Sequence, residues 1–388
     1  MKYRTSDIRP PPIVKLAEAA KRFMGSSNFI DMGQGLPGHV PPKSVMNALA
    51  EKISHPLTHR YTSDQGHLEL REELALYLRQ YSGIAIDPQN EMTITAGGNQ
   101  AFAGTIFTLI ESGDNVVMPS PYYFNSVMAI KLAGGSVTEV PVGNQYIPDP
   151  TDIEAAISDR TKAILLVSPN NPTGAVYSSS TVDRIVDICL ERDIILISDE
   201  AYSRLVFCDA EHYSPKKRRD ASENIITVGS FSKDFGISGW RVGYVLGNSE
   251  FMDEFLKVQD TISICAPTAS QMIALEALKS DMNWVEEELR RLSLLREFAY
   301  LRAREIDALD VTETKGTFYL FPKVTGCMDS RELVLDILQS TETLVLPGSV
   351  FGESGEGHIR ISIGPLTADA VDEAFNRLAG FFETYRSE

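Results

Sequence analysis

The sequence predicts an α/β chain: a large domain with a mostly parallel seven-stranded sheet flanked by helices, plus a smaller α/β domain from the N-terminal arm and the C-terminal third. Three observations carry this. Seven short, apolar, β-branched runs fall between about residues 91 and 248, helical patterns alternate with them, and a long helical stretch separates them from a further set of strand candidates. Strand then helix, repeated, is the order of a doubly wound sheet.

In chain order the runs are EMTITAG, DNVVMPSP, SVTEVPV, KAILLVSPN, IILISDEAY, IITVGSFSK and VGYVLGN. Helical patterns intervene at NQAFAGTIFTLIESG, YFNSVMAIKLAGG, IEAAISD and SSTVDRIVDICLERD. One helical stretch is expected from about Ser270 to Leu309, followed by KGTFYLFP, TLVLPGSVF and HIRISIG. The expected division is an arm over 1–44 that joins the small domain, a large domain over 45–280 and a small domain over 281–388. A chain of 388 residues is long enough for both.

Composition excludes several function classes. No apolar run approaches ~20 residues, so no membrane-spanning helix is expected. The first residues mix charges with prolines and lack the apolar stretch of a signal peptide. Cys189, Cys208, Cys265 and Cys327 are scattered with no CxxC pair, which points to no metal site, no disulfide framework and a cytoplasmic location. The formal charge of −17 opposes a nucleic-acid partner. Against it stands one basic run, Lys216 to Arg219, expected to be a solvated loop.

Ligands of open parallel sheets bind beyond the carboxyl ends of the strands. The residues there are Gly97-Gly98-Asn99, Tyr122-Tyr123, Asn170-Asn171, Asp199 and Lys233. Gly98 opens a helical pattern, where backbone N–H groups receive an anion. Ser230, Ser232 and Arg241 offer hydroxyls and a guanidinium for the same anion. Lys233 carries an amine able to form a Schiff base with a carbonyl. In SPNNPTG, Pro169 and Pro172 constrain Asn171 just past a strand. In SDEAY, Asp199 ends a strand with little room to reach water, so a cationic partner is expected, and Tyr202 follows three residues on. GQGLPG, residues 33–38, matches GxGxxG in letters alone. Pro37, Pro41 and Pro42 stand where a helix would have to open, so the segment reads as a turn-rich loop.

Taken together, SPNNPTG, SDEAY, SFSKDFGISGWRVG and IRISIG, in this order and spacing, resemble the class I and II aminotransferases, pyridoxal-phosphate enzymes of fold type I. The resemblance spans essentially the whole chain. It implies that Lys233 forms the Schiff base with the cofactor aldehyde and that Asp199 pairs with the pyridine nitrogen. Asn171 and Tyr202 would then donate to the ring oxygen, while Gly98, Asn99, Ser230, Ser232 and Arg241 hold the phosphate. It likewise implies that Tyr123 stacks on the ring (Phe124 being the other aromatic in reach), that Arg360 grips the substrate carboxylate and that the Gly35 backbone contacts it. Tyr61 resembles a tyrosine that reaches the phosphate from a second subunit, which implies a homodimer.

On this reading the enzyme moves an amino group between a 2-amino acid, with aspartate, aromatic and aliphatic side chains all open, and a 2-oxo acid such as 2-oxoglutarate. Gly38 and Asn99 depart from the commonest residues of the family and leave the substrate open. Two other functions compete: a β-eliminating C–S lyase on the same scaffold, and a ligand-sensing regulator. The second would carry an added DNA-binding domain, for which the roughly thirty residues before GQGLPG leave no expected room.

Overall fold

The structure, a computed structural model, describes residues 14–385 together with Tyr3, Thr5, Ser6 and Ile8. The remainder of the expected arm before Val14, and residues 386–388, lie outside the described residues. Helix α1 (Val14–Ala20) leads to β1 (Ile30–Asp31), α2 (Lys43–Ile53) and α3 (Leu68–Ser82). The alternating unit opens with β2 (Met92–Thr95), α4 (Gly98–Leu109), β3 (Asn115–Ser120), α5 (Phe124–Ala133) and β4 (Ser136–Pro141). It continues through α6 (Pro150–Ala155), β5 (Thr161–Val167), α7 (Ser179–Arg192) and β6 (Ile195–Asp199). Then come β7 (Ile225–Ser230), the one-turn α8 (Phe231–Asp234), β8 (Gly243–Leu246) and α9 (Ser249–Ser263).

These seven strands, β2 to β8, form one sheet in the order β2-β8-β7-β6-β5-β3-β4. Only β8 runs antiparallel to its neighbours. All seven are the runs read from the sequence. Successive residues point to opposite faces, so β5 sends Ala163, Leu165 and Val167 to the side packed by Ala101, Ile106 and Phe255. Ile164 and Leu166 go to the other side, against Val182, Ile185 and Val186 of α7. Every residue of β3 and β7 is buried, as coverage of both faces demands. Each such aliphatic side chain contributes about 1.5–3 kcal/mol of burial.

Beyond the sheet, α10 (Thr268–Lys279) and α11 (Asn283–Arg304) lead to β9 (Leu309–Asp310), β10 (Tyr319–Leu320) and β11 (Lys323–Val324). The chain closes with α12 (Ser330–Thr341), β12 (Thr343–Leu344), β13 (Leu346–Pro347), β14 (Ile359–Ser362) and α13 (Ala368–Thr384). The expected single helix from Ser270 is therefore two. The break falls at Ser280, whose hydroxyl bonds back to the Ala277 carbonyl at 2.7 Å while Asp281 Oδ1 accepts the Asn283 N–H at 3.0 Å. Short polar side chains compete there with the helical ladder.

One apolar cluster joins Leu16, Ala20 and Met32 to Leu292, Leu320, Ile361 and Phe375. β1 pairs in parallel with β12, Ile30 opposite Thr343. β10, β14 and β13 form an antiparallel three-stranded sheet. The arm is thus tied to the C-terminal third, which brings the loop after β1 and the inner residues of β14 to the carboxyl ends of the large sheet.

The basic run departs from expectation. Lys216 is 4 % exposed, and its Nζ donates to the carbonyls of Ile225 at 2.9 Å and Ser222 at 3.3 Å. Arg218 lies among Asp183, Asp187 and Asp220. The loop is anchored because two carbonyls at the entry to β7 need donors, and a lysine stem can cross apolar ground to reach them.

Candidate active site

Four strand ends of the large sheet converge. Lys233 sits in α8 one turn past β7, and Asp199 ends β6. Asn171 lies in the loop after β5, its fold fixed by Asn170, whose Oδ1 accepts the Thr173 N–H at 3.2 Å and its hydroxyl at 2.9 Å. Tyr123 follows β3 as the N-cap of α5. From the other side, β14 supplies Arg360 and the loop after β1 supplies Gly33 and Gly35.

The Lys233 Nζ donates to the Gly35 carbonyl at 2.5 Å and stands 5.9 Å from the Tyr202 ring centre. Burial, then the charges of Arg360 and Arg241, push its ammonium down to about 8. Asp199 is pushed up to about 6 by burial, with Glu200 adding repulsion and the Ala201 N–H, at 3.1 Å, opposing it. No lysine, arginine or histidine pairs with Asp199 among the described residues, so the partner expected from its position is not found there. A half-buried carboxylate in that condition is poised for a cationic or protonated group of a ligand.

Arg360 is 4 % exposed. Its Nη1 donates to Asn171 Oδ1 at 3.0 Å and its Nη2 to the Gly33 carbonyl at 2.5 Å, while its Nε is buried without a partner. The guanidinium lies over two rings, Tyr319 at 4.5 Å and Phe351 at 5.1 Å. Because Oδ1 of Asn171 accepts from Arg360, its Nδ2 is turned to Tyr202 Oη, 3.4 Å away. Tyr202 Oη is 2.9 Å from Tyr319 Oη.

The anion cradle is backbone. Gly97, at φ +90°, precedes α4, and no side chain caps that helix, so its opening N–H groups at Gly98 and Asn99 are left to a ligand or solvent. Four glycines pinch together here: a Cβ on Gly243 would stand 2.6 Å from Gly98 N, 2.7 Å from Gly97 C and 2.8 Å from Gly229 O. Arg241 reaches over Gly97 from a left-handed backbone (φ +52°), its Nη1 held by the Ser238 carbonyl at 2.8 Å. Ser230 Oγ accepts the Ser232 N–H at 3.1 Å beside Gly98. Asn99, at the mouth, is exposed and bonds the Tyr123 hydroxyl, which Asn125 also reaches at 2.9 Å. Phe124 packs on Tyr123 with ring centres 5.0 Å apart.

Lys233, Asp199, Tyr202, Asn171, Tyr123, Gly98, Asn99, Ser230, Ser232, Arg241, Gly35 and Arg360 are thus brought to one cleft. Tyr61 is not: it is 76 % exposed and bonds none of them. Sequence reading missed Tyr319, Phe351 and the Gly33 carbonyl. The only signal for Tyr319 was a tyrosine inside the apolar run KGTFYLFP, whose hydroxyl needs a partner once buried.

The cleft therefore offers a perturbed amine, an unpaired half-buried carboxylate, an anion cradle and a forked cation, all facing one hollow. Comparison with known proteins agrees. The family model described as aminotransferase class I and II matches residues 27–378. The aspartate aminotransferase of Pyrococcus abyssi is 33% identical over 384 residues, covering 97% of each chain. The aromatic-amino-acid aminotransferase 2 of Thermococcus litoralis is 32% identical, covering 97% of this chain and 96% of its own. The solved alanine aminotransferase of Pyrococcus furiosus superposes with a TM-score of 0.92 at 29% identity, covering 99% of this chain and 100% of its own. With the fold, the cleft and these likenesses in agreement, the chain belongs to the class I and II aminotransferases and is an enzyme that transfers amino groups.

Proposed function

We propose that this transaminase uses pyridoxal 5'-phosphate to exchange an amino group between a 2-amino acid, with aspartate and the aromatic amino acids foremost, and a 2-oxo acid such as 2-oxoglutarate. The observation that carries the reading is the pairing of a depressed amine at Lys233 with an unpartnered, raised carboxylate at Asp199 on adjacent strand ends. The cofactor fits both, with an aldehyde for the first and a ring nitrogen for the second. Its phosphate suits the glycine pinch, Ser230, Ser232 and Arg241. When bound, it supplies an electron sink for the Cα carbanion of the substrate.

The chain's own groups do the rest. Asp199 would hold a proton on the ring nitrogen, Asn171 and Tyr202 would donate to the ring oxygen, and Tyr123 would cover the ring. Arg360 clamps the substrate carboxylate against the Gly35 backbone, which selects the Cα bond to be broken. The Lys233 amine, near neutrality in its pKa, would take the proton from the substrate Cα and return it to the carbon that had been the cofactor aldehyde. The relatives named above are an aspartate, an aromatic and an alanine enzyme, so the side-chain preference is the open part of the reading.

The exposure of Tyr61 supports a homodimer in which it completes a neighbouring site. Four free cysteines support a cytoplasmic location, and among the described residues no helix is long and apolar enough to cross a membrane. The cluster joining arm and C-terminal third supports the division at 44/45 and 280/281. The test is reconstitution with pyridoxal phosphate, borohydride reduction and peptide mapping. The adduct is expected on Lys233, and its absence or a different lysine overturns the assignment. Bleaching of the bound chromophore by each amino acid in turn then identifies the donor.

A further inference from the structure

We propose that Tyr319 is a positioning residue that fixes the direction of the Tyr202 proton. The inference rests on the cofactor reading above. It starts from counting hydrogen bonds. A tyrosine hydroxyl has one proton to give and two lone pairs to fill. At Tyr202 Oη, one lone pair takes the Asn171 Nδ2–H, whose orientation is set by Arg360 donating to the other end of that amide. Tyr319 Oη is 2.9 Å away on a second side. If Tyr319 donates, both lone pairs of Tyr202 are occupied, and the Tyr202 proton has only the cleft to point into.

The rest of Tyr319 is built to hold that geometry. The residue is fully buried, its ring carries the Arg360 guanidinium at 4.5 Å, and its hydroxyl abuts Gly35, where any Cβ would collide with it. The backbone is pinned on both sides: β10 pairs with β14 at Tyr319 opposite Ser362, and the Tyr319 N–H bonds to Thr317 Oγ1 at 3.2 Å. The charged and titratable groups facing the pair are Arg360, Lys233 and Tyr123. With Tyr319 as the donor, the Tyr202 proton would point into the cleft, on the side of Lys233. Tyr319 thus reaches a bound ring only through Tyr202.

The test compares wild type, Tyr319→Phe, Tyr202→Phe and the double variant, each loaded with pyridoxal phosphate and followed by absorbance from pH 5 to 10. With a donor lost, the ring oxygen holds its charge less well and the chromophore takes up a proton more readily. The midpoint is expected to rise by about one pH unit, a tenfold change, in either single variant. It should rise no further in the double variant, because both act through one hydroxyl. The kcat should fall about tenfold with KM for the 2-oxo acid nearly unchanged. An unshifted midpoint in Tyr319→Phe, or additive shifts, overturns the inference while the cofactor reading stands. A wild type with no pH-dependent band overturns the cofactor reading itself. Should the phenylalanine variant not accumulate, Tyr319→Met carries the midpoint prediction alone, because it also removes the ring beneath Arg360.

Discussion

Two lysines of this chain are pushed down to the same value, about 8, and burial is the first cause for both. Lys216 ends on two backbone carbonyls, Ser222 and Ile225, at the entry to β7. Lys233, at the exit of the same strand, ends on one carbonyl, Gly35, lent by a loop 198 residues away in sequence. The first amine gives two of its three protons to its own neighbourhood. The second faces two further cations, Arg360 and Arg241, across a cleft with an unpaired carboxylate nearby. A shifted pKa therefore does not mark chemistry by itself; the shift together with unmet bonding capacity does.

The comparison breaks most sharply on turnover. Lys233→Ala is expected to lower kcat by about 10⁴-fold with the fold intact by circular dichroism, because a positioned base is gone. Retained turnover would put Lys233 in the same class as Lys216. Next comes Asp199→Asn. Loss of the charge that holds the ring proton should cost about 10²–10³-fold in kcat. The cofactor-free protein should meanwhile become more stable at pH 7. An acid whose folded pKa is raised from 3.8 to about 6 binds extra protons in the folded state, so stability falls as pH climbs through that window, and asparagine removes the loss. Urea denaturation of the cofactor-free variant at pH 5 and pH 7 measures it.

Arg360→Lys is smaller: KM for the amino acid should rise about tenfold to a hundredfold, since a point charge replaces a fork. Steady-state kinetics with several amino acids decides, and an unmoved KM removes Arg360 from the carboxylate site. Lys216→Met is the mildest for catalysis, with kcat within about twofold. It leaves two carbonyls short of donors, at about 1–3 kcal/mol of stability. The sign of its pH dependence follows from a folded pKa below the unfolded one. Wild type gains stability as pH rises from about 8 to 10.5, where the unfolded chain still binds the proton. Urea midpoints across that window should rise less steeply in Lys216→Met.

The same contrast explains what could be read beforehand. The seven strands announce themselves by local pattern, and the rule of strand ends then finds Asp199, Lys233 and Asn171 without a map. Tyr319 escaped because its role comes from a partner 117 residues away, Tyr202, and from a guanidinium on the opposite strand. Lys216 escaped because four adjacent basic residues look like a wetted turn, and the carbonyls that bury one of them belong to the next strand's beginning. The helix break at Ser280 escaped for a local reason: the apolar periodicity resumes after three residues, and only the hydroxyl and carboxylate caps interrupt the ladder.

The meeting of Gly97, Gly98, Gly229 and Gly243 carries a consequence for inheritance. No reaction occurs there, yet the gap between two turns of chain is narrower than one methyl group requires. Mutation that adds a single carbon at position 243 would wedge the start of α4 away from β7, loosening the grip on a phosphate without touching any reacting atom. Codons for residues that have no side chain to lose are thus among the letters of this gene least free to change.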